Sequence, residues 1–294
     1  FNVRADGSSK LAPSGRWGYF PSFSAAWRAS SEKFLADVHW LDDLKLRAGW
    51  GQTGNQDGLG DYAYLERYNF NRIEWWKPGQ GDAVPTYSQA SLSSSDLTWE
   101  TTTQTNIGLD LTMFQSRLTM NLDYYFKRTT DMLMWVTLPA GSAAVNSIQR
   151  NEGEMTNRGV ELSVSSKNFV GDFKWSTDFN ISHNKNRLES LVFKQVYYDA
   201  RVTDILSDYA VKNMPGRPLG GFWGYESTGV DPETGELIYV DKNNDDFINA
   251  SDRTYIGDPN PDFTFGMTNI FSYKNFNLSI LLQGTYGNDI FNVS

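Results

Sequence analysis

The clearest pattern in the chain is an alternation of period two over residues 104–128, QTNIGLDLTMFQSRLTMNLDYYFKR. Ile107, Leu109, Leu111 and Met113 share one side of an extended backbone, and Asn106, Gly108, Asp110 and Thr112 share the other. Beyond a turn at 115–116, Leu118, Met120, Leu122, Tyr124 and Phe126 alternate with Thr119, Asn121, Asp123 and Tyr125. Successive side chains of a strand point to opposite faces, so the pattern predicts two strands, each with an apolar and a polar face. The short turn makes them an antiparallel hairpin, with the first strand expected to begin near Leu97.

The rest of the chain repeats this unit. From Tyr19 to Arg28, Tyr19, Phe23, Ala25 and Trp27 oppose Phe20, Ser22, Ser24 and Arg28, and a short helix is expected over 31–39. Leu44, Leu46, Ala48 and Trp50 oppose Lys45, Arg47, Gly49 and Gly51. Val160, Leu162 and Val164 oppose Glu161, Ser163 and Ser165; Phe173, Trp175, Phe179 and Ile181 oppose Lys174, Ser176, Asp178 and Asn180. A last hairpin joins 263–273 to 276–286, with Phe276, Leu278, Ile280, Leu282 and Tyr286 on one face.

Between these strands, short turns alternate with long stretches at about 53–96, 129–157 and 184–262, so all the long stretches fall at one end of the sheet. Outer-membrane barrels have this asymmetry, with short periplasmic turns and long outer loops. In such a barrel Arg47, Asp110, Asp123, Glu161, Lys174 and Asp178 line the lumen and the apolar face meets lipid. Trp27, Trp50, Trp99, Tyr124, Trp175, Tyr273 and Tyr286 fall near strand ends, where aromatic girdles belong. Alternation alone does not separate inside from outside, and a soluble β-sandwich with the faces exchanged is the competing architecture.

Composition narrows the choice. With 39% hydrophobic and 15% aromatic residues, the 294-residue chain has enough apolar surface to fold. No apolar run reaches about 18 residues, so no helix is expected to cross a membrane, a criterion that does not bear on barrel strands. A net charge of −9 argues against a nucleic-acid partner. The absence of cysteine removes disulfides, thiolate metal sites and cysteine nucleophiles, and two histidines, His39 and His183, cannot build a His-rich metal centre. The chain lacks an initiating Met and a signal peptide, and residues 1–5 read as the end of a strand already under way, so a piece of a longer polypeptide is expected.

Six motifs, RWGYFPSFSAAWR, LKLRAGWGQTGNQ, LTWETTTQTNIGLDL, DYYFKRTTDML, NEGEMTNRGVELSV and DRTYIGDPNPDFTFGMTN, resemble in content and order the C-terminal half of SusC/RagA-type TonB-linked outer-membrane proteins of the Bacteroidetes. The resemblance spans Arg16 to about Asn292. It implies an all-β fold, an antiparallel transmembrane barrel in the class of plugged barrels of about 22 strands. It also implies a nutrient importer, lidded by a SusD-like surface lipoprotein, powered through the TonB complex and embedded in outer-membrane lipid. Its substrate would be an oligosaccharide or an oligopeptide, with the aromatic loops favouring glycans. The alternative is a secreted β-rich carbohydrate-binding or hydrolytic domain.

Two groups of residues are candidate sites. Residues 241–252, DKNNDDFINASD, resemble an EF-hand-type calcium loop: Asp241, Asn243 and Asp245 take positions one, three and five, the Phe247 carbonyl position seven, and Asp252 position twelve. Position six is Asp246 in place of glycine, and position twelve is one methylene shorter than the usual Glu. An acidic solvated turn is the alternative. The cation favoured is Ca²⁺ in a structural role, and no cofactor is required. The second group is the aromatic residues Trp75, Trp76, Tyr197, Tyr198, Trp223 and Tyr225, flat rings suited to sugar faces, peptide side chains or the lid; packing within the loops is the competing role. Within it, 184–201 and 216–225 (GRPLGGFWGY) are the stretches expected to approach substrate or partner.

A glycosidase would hold two carboxyls about 5 to 9 Å apart across a cleft. Glu100, Asp110, Asp123, Glu161 and Asp178 all fall on polar faces, and no pair stands out, which fits lumen lining better than catalysis. No phosphate-cradling glycine loop or nucleic-acid motif is present. The expected activity is transport without covalent chemistry.

Overall fold

The computed structural model describes residues 1–75, 84–191, 197–201 and 209–292. The chain opens with β1 (Asn2–Gly7), β2 (Trp17–Arg28) and β3 (Leu41–Asn55), followed by β4 (Arg67–Trp75) and β5 (Val84–Ser91). The central hairpin is β6 (Glu100–Met113) and β7 (Leu118–Thr130). Next come β8 (Leu133–Thr137), β9 (Ser147–Asn151), β10 (Glu154–Val170) and β11 (Phe173–Ser190). The region after β11 carries β12 (Tyr197–Arg201), β13 (Tyr209–Asn213), β14 (Phe222–Tyr225), β15 (Ser227–Val230), β16 (Leu237–Tyr239) and β17 (Arg253–Gly257). The last hairpin is β18 (Phe263–Tyr273) with β19 (Phe276–Tyr286).

Nine strands form one sheet in the order β1-β2-β3-β6-β7-β10-β11-β18-β19, an up-and-down succession in which sequence neighbours pair and insertions are left out. β11 pairs antiparallel with β18 from Phe173↔Tyr273 to Ser182↔Thr264, and β18 with β19 from Phe263↔Tyr286 to Tyr273↔Phe276. This register gathers Trp175, Phe179, Ile181, Phe265, Met267, Phe271, Leu278, Ile280 and Leu282 on one face. The opposite face carries Lys174, Ser176, Asp178, Asn180, Thr264, Thr268, Asn277, Ser279 and Gln283.

The apolar face is not a core. Leu278 is 55% exposed, Leu282 50% and Phe276 79%, a pattern expected of side chains that meet lipid instead of protein. From Phe263 to Tyr273 the belt runs for about ten steps of about 3.3 Å, roughly 33 Å along the strand, and at the tilt of about 40° usual for such strands it rises roughly 25 Å, close to the apolar height of an outer-membrane barrel. Aromatic clusters mark both ends: Phe263 stacks on Tyr286 at 5.1 Å, and Trp175 stacks on Phe169 at 5.8 Å and Phe271 at 5.7 Å.

Several elements differ from their sequence expectation. The first arm of the central hairpin begins at Glu100, because Leu97 turns inward and is 1% exposed. The turn takes in residues 114–117, with Phe114, Gln115 and Ser116 all left-handed. Residues 31–39 form no α-helix; two single-turn 3-10 helices, Ala29–Ser31 and Lys33–Leu35, stand there instead. The long stretches are largely folded. β3 runs on to Asn55, β4 pairs with β5, and β8 pairs with β9. β12-β13-β14-β17 make a four-stranded sheet, and β15 pairs with β16.

The chain divides into two compact units. One comprises Phe1–Phe23, Trp50–Gln104 and Arg128–Glu154, and holds a small core of Leu11, Phe20, Leu59, Leu97 and Trp99. Period two had put Phe20 on a polar face and Trp99 in a girdle; both are instead buried, with their rings edge to face at 5.7 Å. A Cβ at Gly54 would lie 2.1 Å from Phe20 Cζ, so only glycine leaves room for that ring. The other unit comprises Ser24–Gly49, Thr105–Lys127 and Met155–Ser294.

Candidate functional site

On the polar face of β3, β6 and β7, Arg47 is the hub of a charge cluster. Its Nε and Nη2 lie 2.9 and 2.8 Å from the two Asp110 carboxylate oxygens, and Nη2 also donates to Asp123 at 3.0 Å. Lys45 lies 3.6 Å from Asp110. Fork geometry of this kind is what guanidinium offers and ammonium does not. Gly108 makes the approach possible: a Cβ there would lie 2.5 Å from Asp123 Oδ1 and 2.6 Å from Arg47 Nη2. The cluster follows from alternation, since all four side chains are polar-face residues of adjacent strands.

The other carboxylates weighed for catalysis are also engaged or apart. Glu100 accepts from Asn55 Nδ2 at 3.2 Å and from the Leu133 N–H at 3.1 Å, and Asp178 accepts the Ser165 hydroxyl at 2.6 Å. Glu161 is exposed on β10. These bonds tie strands together.

The aromatic candidates divide between the two units. Trp75 lies on β4, its backbone paired with Val84; its side chain, and Trp76 altogether, lie outside the described residues. Tyr197 and Tyr198 are on β12, paired through the backbone with Asn213 and Lys212, and their side chains also lie outside the described residues. Trp223 and Tyr225 are on β14 of the same four-stranded sheet.

Trp223 is partly buried in a stack of cations and rings. Lys212 Nζ sits 3.4 Å from its ring centroid, and Tyr255 meets it edge-on at 5.2 Å. The Tyr255 hydroxyl donates to the Lys212 carbonyl at 2.8 Å, and the Arg217 guanidinium lies 4.8 Å from the Tyr255 ring. Burial pushes the Lys212 ammonium down from its ordinary pKa. Tyr225 is placed likewise, with Arg253 at 5.1 Å and Tyr239 at 5.7 Å. Such contacts contribute about 0.5–1 kcal/mol each when exposed and more when desolvated.

Three asparagines hold the turn before β14, and sequence reasoning missed them. Asn186 Oδ1 accepts the Leu219 N–H, Asn213 Oδ1 accepts the Gly220 N–H, each at 2.8 Å, and Asn260 Nδ2 donates to the Leu219 carbonyl at 2.9 Å. Asn186 also donates to Asn260 at 2.8 Å. Extending the period-two reading of β11 from Asn180 and Ser182 through to Ser190 would have put Asn186 on the polar face.

The acidic loop forms a tight net of backbone bonds. Asp241 accepts the N–H groups of Asn244 and Asp246, each at 2.7 Å, and Asp245 accepts that of Phe247 at 2.9 Å. Asp246, at the position usually glycine, is left-handed with φ 65°. Asp252 is fully buried and accepts from Lys242 N–H at 2.9 Å and Asn249 N–H at 2.8 Å. The Asn249 N–H, foremost, holds the Asp252 carboxyl below the usual carboxylate range. Each carboxylate oxygen keeps a further lone pair, but among the described residues no three His, Cys, Asp or Glu side chains converge as a metal cluster.

Comparison with known proteins places this geometry. The family model for the TonB-dependent receptor-like β-barrel matches residues 1–292. TonB-dependent receptor SusC of Bacteroides thetaiotaomicron is 34% identical over 300 residues, and TonB-dependent receptor P3 of Formosa agariphila 33% identical over 309. Each alignment covers 99% of this chain and 30% of the relative, so the chain spans under a third of the length of these relatives. Among solved structures, the RagAB peptide importer in its closed-closed state superposes with a TM-score of 0.82 at 26% identity, over 97% of this chain and 31% of that one. The open-open state of the same importer gives the same TM-score. With its lipid-height apolar belt and its matching family model, the chain belongs to the TonB-dependent receptor-like β-barrel family, as a SusC/RagA-type protein of the outer membrane.

Proposed function

We propose that the protein containing this chain actively imports an oligomeric nutrient, an oligosaccharide or an oligopeptide, across the outer membrane. In this scheme a SusD-like lipoprotein lids the outer face, and the TonB complex supplies energy through a region outside this chain. The residues described here act as barrel wall and outer loops, and no covalent bond is made or broken. The observation that carries the proposal is the agreement with the RagAB peptide importer along nearly the whole chain, at a TM-score of 0.82. The polar face built on Arg47, Asp110 and Asp123 supports it, since a hydrated lumen needs such a lining.

The stretches 53–96, 129–157 and 184–262 are assigned to the outer side, and the Trp223 and Tyr225 sheet to the approach of substrate or lid. A structural Ca²⁺ held by Asp241, Asn243, Asp245, Asp252 and the Phe247 carbonyl is part of the proposal; the left-handed Asp246 supports it, and the lack of a converged acidic cluster weighs against a preformed site. Membership of the outer-membrane family favours this reading over a secreted carbohydrate-binding or hydrolytic domain.

The test is uptake by the native bacterium and a deletion strain, each offered labelled oligosaccharide and oligopeptide pools, with and without an uncoupler of the inner membrane. Loss of uptake of one class on deletion and on uncoupling supports active import and names the substrate class. Unchanged uptake of both pools in the deletion strain defeats the proposal.

A further inference from the structure

The lipid-facing side of β10 and β11 carries a cationic cluster just beyond the apolar belt. The odd positions of β11 that supply Phe173, Trp175, Phe179 and Ile181 continue as His183, Lys185 and Arg187. The even positions of β10 that supply Val164, Leu162 and Val160 continue toward the same end as Arg158. Counting back from the turn at 171–172 sets Val160 opposite His183 and Arg158 opposite Lys185, a register with which the Ser165–Asp178 bond of 2.6 Å agrees. All four of these basic side chains are exposed.

Two like charges directly opposite on neighbouring strands destabilise a sheet unless something neutralises them. Arg187 has Glu189 at 3.5 Å, and Glu189 also accepts the Thr156 hydroxyl at 2.6 Å. Among the described residues neither Arg158 nor Lys185 takes part in an ion pair. This pairing of cations occurs in a chain of net charge −9, on its outward face.

Beside it on the same face lies a shallow apolar cavity of about 580 Å³, open to the surroundings and lined by Leu122, Val160, Leu162, Ile181 and Phe263, with His183 also at its wall. Asp262 also lines it, and its backbone carbonyl accepts His183 Nδ1–H, which fixes the imidazole at that wall. Lysine and arginine commonly snorkel at the ends of membrane strands. Snorkelling accounts for isolated cations, but not for a facing pair set beside a cavity of a volume suited to a small ligand or an alkyl chain.

We infer that this face binds a phosphorylated lipid of the outer leaflet. The phosphate bridges Arg158 and Lys185, and one acyl chain fills the cavity between Val160, Leu162 and Phe263. Cations next to a membrane attract anionic headgroups, and the cluster lies at the end of β11 that leads into the longest connection, the outer side of a barrel. The inference rests on the outer-membrane location and is independent of what the protein imports.

The test uses the complete protein, purified in mild detergent, delipidated, and followed by native mass spectrometry. It is titrated with bisphosphorylated lipid A, with phosphatidylcholine of matched chain length, and with inorganic phosphate. Lipid A should be retained under conditions that strip phosphatidylcholine. Arg158→Gln with Lys185→Gln should weaken lipid A binding by tenfold or more, and Val160→Trp, which fills the cavity, should weaken it without charge loss. Lys174→Gln on the opposite face should change nothing. Equal retention of phosphatidylcholine, no loss in the double variant, or complete competition by inorganic phosphate at equal concentration would each overturn the assignment.

Discussion

Asn269 of β18 accepts the indole N–H of Trp175 on β11 at 3.0 Å, and the same oxygen takes the Thr177 hydroxyl at 2.7 Å. The amide stands on a face that otherwise shows Phe265, Met267 and Phe271 to lipid. Hydrocarbon offers an amide no partner, so the bonds to Trp175 and Thr177 make this asparagine tolerable there. The three groups form a unit. Asn269→Leu and Thr177→Val should each destabilise the barrel, and the double variant should cost less than the sum by about 0.6–1.7 kcal/mol, the coupling typical of membrane hydrogen bonds. Guanidinium titration of the complete protein in detergent reads the cycle; additive losses would mean that the two groups act independently.

A second cycle probes the polar face. Arg47 holds Asp110 and Asp123 at 2.8 and 3.0 Å, and its side chain is 34% exposed, so water screens the pair in part. Arg47→Ala leaves two carboxylates facing each other and should cost about 1–2 kcal/mol, more than an ordinary exposed pair. Arg47→Lys should recover only part of that, because ammonium lacks the fork. Gly108→Ala intrudes on the same contacts and should destabilise to a similar extent, with little further loss when combined with Arg47→Ala. Full additivity in denaturant titration would show that Gly108 is needed for another reason.

How far the sequence could be read depends on which force sets each element. The hairpin of β18 and β19 and the faces of β6 and β7 follow from alternation, because a strand between lipid and water has only those two sides to satisfy. The Arg47 cluster was legible for the same reason, as polar-face residues of adjacent strands. Phe20 was not: its face is polar along most of β2, and only the return of Leu59, Leu97 and Trp99 from distant positions buries it. The folded insertions β12-β13-β14-β17 were equally hidden, since their strands are short and the turn before β14 is held by side-chain clamps from Asn186 and Asn260. Trp223 and Tyr225 could be named as candidates from residue type, but the cations packed on them could not, because Lys212 and Arg253 come from other strands.

The Trp223 stack makes a separable prediction about substrate and lid. Trp223→Ala removes the platform under Lys212 and the edge contact with Tyr255, and Tyr255→Ala removes the other half. Each should loosen the four-stranded sheet by about 2–4 kcal/mol of local stability while leaving the nine-stranded sheet intact. Limited proteolysis of the complete protein should then cut preferentially within 209–257, and affinity for substrate or lid should fall in parallel for both variants. Faster cutting with unchanged affinity for both ligands would confine Trp223 to a structural role and take it off the binding surface.

The acidic loop should respond to acid and to calcium in opposite directions. Asp252 is buried and its carboxyl is held below the usual range chiefly by the Asn249 N–H. A carboxyl whose folded pKa is depressed contributes stability that is complete above its unfolded value, about 3.9, and is lost as pH falls through the folded value. Protection of 241–252 against hydrogen exchange, taken relative to the intrinsic amide rate at each pH, should therefore be flat from about pH 5 to 8 and fall only below about pH 4. Asp252→Asn should give fast exchange at neutral pH, because an amide oxygen replaces a charged acceptor of two N–H bonds. Calcium should slow the exchange at neutral pH, with a dissociation constant of about 10⁻⁴–10⁻³ M if the loop behaves as an extracellular module. Asp241→Ala and Asp245→Ala should abolish that slowing. Calorimetric titration separates the two effects: binding heat lost in both variants assigns the cation to these residues, whereas no heat at millimolar calcium leaves the loop held by its Asp-to-backbone bonds alone.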